Sequence, residues 1–190
     1  MKQPAYTTSV EALRKMMGGV MRWNLWLFLV RRSLYVENDI RFTEGLNMGE
    51  DMMVMMKLFI CAGKVGIVHR PFYHYRQSNP ESLTKIYSQE HIIQVANNVY
   101  VNASAYADSL IEFIPFLKLN IKLPLLITDD KSHYEQWLEC FPEANCYVMN
   151  NKLLPLRTRI IQWMAVKRYF ILLRLYYRTV FKLVYGIIYK

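Results

Sequence analysis

The sequence predicts a helix-rich α+β fold, and three stretches carry that expectation. Residues 52–61 are apolar at every position but Lys57, the pattern of a helix buried on nearly all sides. Between Lys64 and Gln77, apolar or aromatic residues alternate with polar ones in two short runs separated by Pro71, which is the period of β-strands. From Ser88 to about Leu117, apolar residues return at three- and four-residue steps, from Ile92 through Val95 and Val99 to Ile114, as on one face of a helix. A chain of 190 residues, 53% of them hydrophobic, is long and apolar enough to bury a real core and lies outside the disordered class.

The first element is short. Thr8-Ser-Val-Glu11 has the form of a capping box, and the helical stretch Val10 to Met17 is closed by Gly18-Gly19. Met21 to Val30 is apolar and aromatic, with Trp23, Trp26 and Phe28, before Arg31-Arg32 returns the chain to water. The tryptophans pack in the core or present an aromatic face for stacking. Arg31 and Arg32 are a solvated helix end or contacts for phosphate. Residues 40–48 read as a short strand and a loop, and a helix follows from about residue 51 to residue 62, ended by Gly63.

The entry to that helix is the chemically suggestive point. Glu50 and Asp51 follow Gly49 and stand in the first turn, where a helix N-terminus favours negative charge by roughly 0.3–1 kcal/mol each. Burial raises the pKa of such a carboxylate, while the helix dipole and free N–H groups lower it. The pair either caps a core helix or supplies a carboxylate that stays ionised and yet basic. Beyond it, in Phe72 to Gln77, a strand would set Tyr73 and Tyr75 on one side and His74 and Arg76 on the other. The planar fork of Arg76 suits a diphosphate or an ion pair with Glu44 or Glu50.

The helix from Ser88, with Asn97, Asn98 and Asn102 on its polar face, is a packing element. Thr128-Asp-Asp130 starts a further helix that runs through Cys140 and stops at Pro142. The expected organisation is a mixed region over residues 1–85, a helical region over 86–150 and a basic amphipathic helix over 151–190.

Charge singles out that last region. The net charge is +9, and after Glu143 come nine cations and no anion, leaving 15 basic against 15 acidic residues in 1–143. On a continuous helix from Leu156, Lys167, Arg168, Arg174, Arg178 and Lys182 fall within an arc of about 120°. Tyr169, Phe170, Leu172, Leu173, Tyr176, Val180 and Phe181 cover much of the rest. A basic stripe beside a broad apolar face predicts a helix lying in the interface of an anionic membrane without spanning it. The alternatives are an apolar face docked on the rest of the protein and a basic face that is simply solvated. Nucleic acid is not an expected partner, because the opposite face is too apolar to be left in water.

No uncharged apolar run approaches the length of a membrane span, and Met1 to Thr8 lacks the apolar core of a signal peptide. Cys61, Cys140 and Cys146 are odd in number and widely spaced, so they read as reduced thiols without metal spacing. The expected location is the cytoplasm, peripheral at the inner face of the plasma membrane.

Three segments, LWLFLVRRSL, IRFTEGLNMGED and RPFYHYRQSNPESLT, resemble, in order and spacing, the C-terminal half of family-two glycosyltransferases of the A-type fold. The resemblance covers about residues 20 to 85. It implies a partial A-type fold on the acceptor side, followed by helices, and transfer of a sugar from a nucleotide-sugar donor to a glycan or lipid-linked acceptor in surface polysaccharide synthesis. It assigns Asp51 as the base of an inverting reaction and Glu50 either as its orienting partner or as an acceptor contact. Trp26, Arg31, Arg32, Arg76 and Ser82 become substrate contacts, with Thr84 in the same donor-side loop. Phe28 stands where the family usually has lysine. The family neutralises its leaving group with a divalent cation, Mn or Mg, on an Asp-x-Asp motif, and this sequence contains no Asp-x-Asp. The resemblance therefore implies that residue 1 falls after the donor-binding half, that this chain binds no such cation, and that a separate donor-binding half is a possible partner. The competing function is a non-catalytic membrane-surface interaction module.

Overall fold

A computed structural model describes residues 8–45, 49–68, 70, 72–74 and 108–181. The chain divides into two compact units, Met1–Glu112 and Phe113–Lys190.

The first unit contains helices α1 (Ser9–Met17), α2 (Arg32–Glu37) and α3 (Glu50–Cys61), with a 3-10 turn at Leu25–Leu27. The Thr8 half of the predicted capping box forms, the Thr8 hydroxyl accepting the Glu11 N–H at 3.1 Å, while the Glu11 carboxylate accepts from Lys15 Nζ at 2.6 Å. At its other end Gly19 has φ 80°, and the N–H groups of Gly19 and Val20 return to the carbonyls of Met16 and Lys15. This is a Schellman closure with glycine in the left-handed position. Ala12, Leu13, Met16 and Met17 are buried, and their spacing makes one face that packs on α3.

α3 is the core of this unit. Its entry residue, Gly49, has φ 85°, where a side chain would be strained. Seven of its twelve residues are buried, Met52–Met56 together with Leu58 and Phe59, and α1, α2 and the Leu25–Leu27 turn all lie against it. Unbranched methionine side chains adapt to such irregular neighbours.

The α+β class and the partial A-type glycosyltransferase fold are overturned. Among the described residues all regular structure is helical and no strand occurs. Residues 64–68 do run irregularly without helix, but they are exposed apart from half-buried Val65. Alternation provides a strand with two faces; a ladder also needs an edge to pair with, and no described segment offers one. Over residues 40–45, the described part of the strand and loop expected at 40–48, no strand forms, for a local reason. Asp39 and Gly45 take positive φ of 46° and 75°, and the chain between them turns through water with only Ile40 buried.

The second unit is a helical cluster: α4 (Ile114–Lys122), α5 (Lys131–Glu139), α6 (Leu156–Val166) and α7 (Phe170–Tyr176). 3-10 turns lie at Leu123–Leu126 and Pro142–Tyr147, and a π turn at Tyr177–Phe181. α5 starts where the sequence places it, with the Asp130 carboxylate accepting the Ser132 N–H at 2.9 Å. The Tyr134 hydroxyl donates to the Thr128 carbonyl, and Tyr134 and Trp137 are fully buried.

Beside them lies a residue the sequence does not announce. Lys122 is completely buried. Its Nζ donates to the carbonyls of Trp137, Cys140 and Phe141 at 3.1, 2.6 and 3.3 Å and to Asn145 Oδ1 at 2.5 Å, and it sits 4.0 Å from the Trp137 ring centroid. The ammonium thus gathers the carbonyls that α5 leaves open at its C-terminus.

The helix expected to run unbroken from Leu156 is two. It ends at Val166, where the N–H groups of Arg168 and Tyr169 return to the carbonyls of Ala165 and Met164. This repeats the closure of α1, but Arg168, at φ 58°, occupies the glycine position. The shared arc of five cations is lost with the break, since Lys167 and Arg168 lie in the turn and Arg174 and Arg178 follow it. Part of the apolar surface docks internally: Ala165, Phe170 and Leu173 are buried within the unit, beside the buried polar Gln162.

Candidate functional site

At the head of α3 the helix start and the Leu25–Leu27 turn meet. The Leu25 N–H donates to Asp51 Oδ2 at 3.2 Å, and among the described residues no donor bonds the other carboxylate oxygen. Burial pushes the Asp51 pKa up, opposed by the Leu25 N–H. Glu50 is also pushed up, first by burial and then by the neighbouring Asp51 charge, while its own backbone N–H opposes the shift. Adjacent helical positions are about 100° apart, so the two carboxylates do not share one direction.

Trp26 is the residue after the anchoring amide. Its ring stacks on Tyr73 with centroids 5.2 Å apart and planes inclined by 24°. Trp26 is half-buried and Tyr73 is exposed, so the pair joins the wall of the unit to its surface. Behind it, Phe28 meets Phe59 edge to face at 5.7 Å, which fixes the turn against α3. The position occupied by Phe28 is thus a packing position here.

The structure gathers Asp51, Glu50 and Trp26 in one neighbourhood. Arg31 and Arg32 lie at the start of α2 and are exposed. Arg76, Ser82 and Thr84 lie outside the described residues. Tyr35, on α2, is a neighbour the sequence gave no sign of: burial raises its pKa and the Asp51 charge raises it further. Tyr73 stood in the sequence as one of two tyrosines on a supposed strand face, and the structure selects it as the partner of Trp26.

Divalent cations take several oxygen ligands; among the described residues no group of three or more His, Cys, Asp or Glu side chains comes together. Of the expected membrane-binding cations, Lys167, Arg168, Arg174 and Arg178 are exposed, whereas Lys182 is outside the described residues. Among the described residues no helix is long and apolar enough to cross a membrane.

This chain is similar to a glycosyltransferase. Over 64 residues it is 34% identical to an uncharacterized glycosyltransferase, EpsJ, of Bacillus subtilis (strain 168). The match covers 34% of this chain and 18% of that relative. No family model matches the chain, and no solved structure matches it.

Proposed function

We propose that the chain takes part in glycosyl transfer from a nucleotide-sugar donor to a glycan or lipid-linked acceptor in surface polysaccharide synthesis. The observation that carries this reading is the half-buried Asp51 carboxylate, held by the Leu25 N–H one residue from the stacked Trp26–Tyr73 pair. The likeness to a protein named as a glycosyltransferase supports the same class.

In this reading Trp26 and Tyr73 offer an aromatic face to the C–H surface of an acceptor sugar, and Asp51 is the general base. Its free oxygen takes the proton from the acceptor hydroxyl as that oxygen attacks the anomeric carbon. The bond to the nucleoside diphosphate breaks on the opposite face, with inversion. A carboxylate raised by burial is a stronger base for this task than one in water. Glu50 orients the acceptor, and the exposed Arg31 and Arg32 can approach its phosphate where it is lipid-linked.

The test is consumption of nucleotide sugars by the chain combined with a glycosyltransferase donor-binding half and supplied with a panel of glycan and lipid-linked acceptors, alongside acceptor binding by the chain followed by tryptophan fluorescence. Asp51→Asn should retain acceptor binding and lose transfer. Equal transfer by Asp51→Asn and wild type would remove Asp51 from the chemistry, and absence of both binding and turnover across the panel would remove the reading itself.

A further inference from the structure

We infer that the solvent-facing side of α6 and α7 docks on an anionic lipid bilayer, lying in its interface without crossing it. The inference does not depend on glycosyl transfer by the first unit.

Both helices carry apolar residues on the wrong side for a protein surrounded only by water. α7 buries Phe170 and Leu173 in its own unit, yet Ile171 is 82% exposed, Leu175 57% and Leu172 49%. At about 100° per residue these three fall together on the side away from Leu173. On α6, Leu156, Ile160 and Trp163 are exposed at spacings of four and three, again as one stripe, opposite buried Gln162 and Ala165. The stripes adjoin at the break between the helices, where the Trp163 and Tyr169 rings meet edge to face at 5.7 Å. Tryptophan and tyrosine, apolar in body and polar at one edge, suit the boundary between acyl chains and water.

The charge around this surface says what covers it. Arg157, Lys167, Arg168 and Arg174 are exposed along the same helices and their joint, and the sequence after Glu143 contains no anion. A second copy of this surface would bring like charges against each other, because a two-fold interface apposes identical patches. An anionic bilayer meets both requirements at once. Its headgroups receive the cations, each of which raises partitioning roughly fivefold, and its acyl boundary receives the aliphatic side chains.

The experiment is co-sedimentation of the full chain with vesicles of phosphatidylcholine alone and of equal parts phosphatidylcholine and phosphatidylglycerol. Wild type should bind the mixed vesicles strongly and the neutral ones only weakly. The double variant Ile171→Ser, Leu175→Ser should lower partitioning roughly tenfold or more by removing aliphatic surface. Arg174→Glu should lower it by a similar factor through charge. All three residues are exposed, so circular dichroism should be unchanged, and Asp51→Asn should sediment like wild type. Equal binding to both vesicle types, or equal binding by wild type and the variants, overturns the inference. A serine variant that dissolves a dimer in sedimentation velocity without changing vesicle binding assigns the surface to a second copy and also overturns it. Binding to polyglutamate without binding to mixed vesicles assigns it to an acidic protein, with the same consequence.

Discussion

Asp51 and Lys122 are both ionisable groups drawn out of water, and their surroundings treat them differently. Asp51 receives one N–H and little else, so burial raises its pKa. A carboxyl whose folded pKa is raised contributes stability that is present below the unfolded pKa and lost as pH rises through the folded value. Ionised Asp51 therefore burdens the fold at neutral pH. Asp51→Asn keeps an oxygen for the Leu25 N–H and should raise the melting temperature at pH 7, with the gain disappearing below pH 4 in calorimetry. The same variant should lose about 10²–10⁴-fold in transfer rate if Asp51 is the base. Lys122 is ringed by carbonyls, but burial pushes its pKa down to about 8. Its contribution is full above the ordinary lysine value of 10.5 and lost as pH falls to about 8. Lys122→Met leaves carbonyls without a donor and should cost about 1–3 kcal/mol at each unsatisfied group. Because the folded lysine is already neutral in the upper window, stability relative to that variant should shift in favour of wild type by up to about 3 kcal/mol between pH 7 and pH 10.5. Urea titrations of both proteins at the two pH values measure that shift; a constant difference would mean that the lysine titrates normally.

At the scale of elements, what could be read from the chain depended on whether the signal was local. The start of α1 at Thr8, its end at Gly18-Gly19, the start of α5 at Asp130 and the all-round burial of α3 were legible, because capping and periodicity belong to a few neighbouring residues. The absence of a strand at 64–68 was not, since pairing depends on a partner far along the chain. The break after Val166 was missed for another reason: the left-handed position usually marked by glycine holds Arg168. Lys122 was invisible because its acceptors lie 15 to 23 residues away. At the candidate site the carboxylate and Trp26 could be chosen from sequence, while Tyr35 and the specific partnership of Trp26 with Tyr73 needed the fold. The closure of α6 makes its own prediction. A non-glycine residue in the left-handed region costs roughly 1–2 kcal/mol, so Arg168→Gly should stabilise the second unit by about 1 kcal/mol in denaturant titration, less the added freedom of glycine in the unfolded chain. It also removes an exposed cation, so vesicle partitioning should fall roughly fivefold. Stability and binding would then move in opposite directions, which a merely damaged helix could not produce.

Across the whole molecule, charge and apolar exposure are segregated along the chain: residues 1–143 balance, and the nine unopposed cations follow Glu143. Net charge alone would make the protein stick to any polyanion through counterion release, with affinity collapsing as salt rises. The exposed aliphatic residues of α7 predict something more specific. Raising ionic strength to about 1 M shortens the screening length to about 3 Å, which should suppress the contribution of Arg174 while leaving that of Ile171 and Leu175. Three proteins measured against mixed vesicles at low and high salt separate the two contributions. Wild type should weaken with salt but retain residual binding. Arg174→Glu, weaker at low salt, should converge on wild type at high salt. The Ile171→Ser, Leu175→Ser variant should be weaker than wild type at both and should lose the residual binding altogether. Convergence of all three at high salt would instead mean that the apolar face contributes nothing and that α6 and α7 hold the membrane by charge alone.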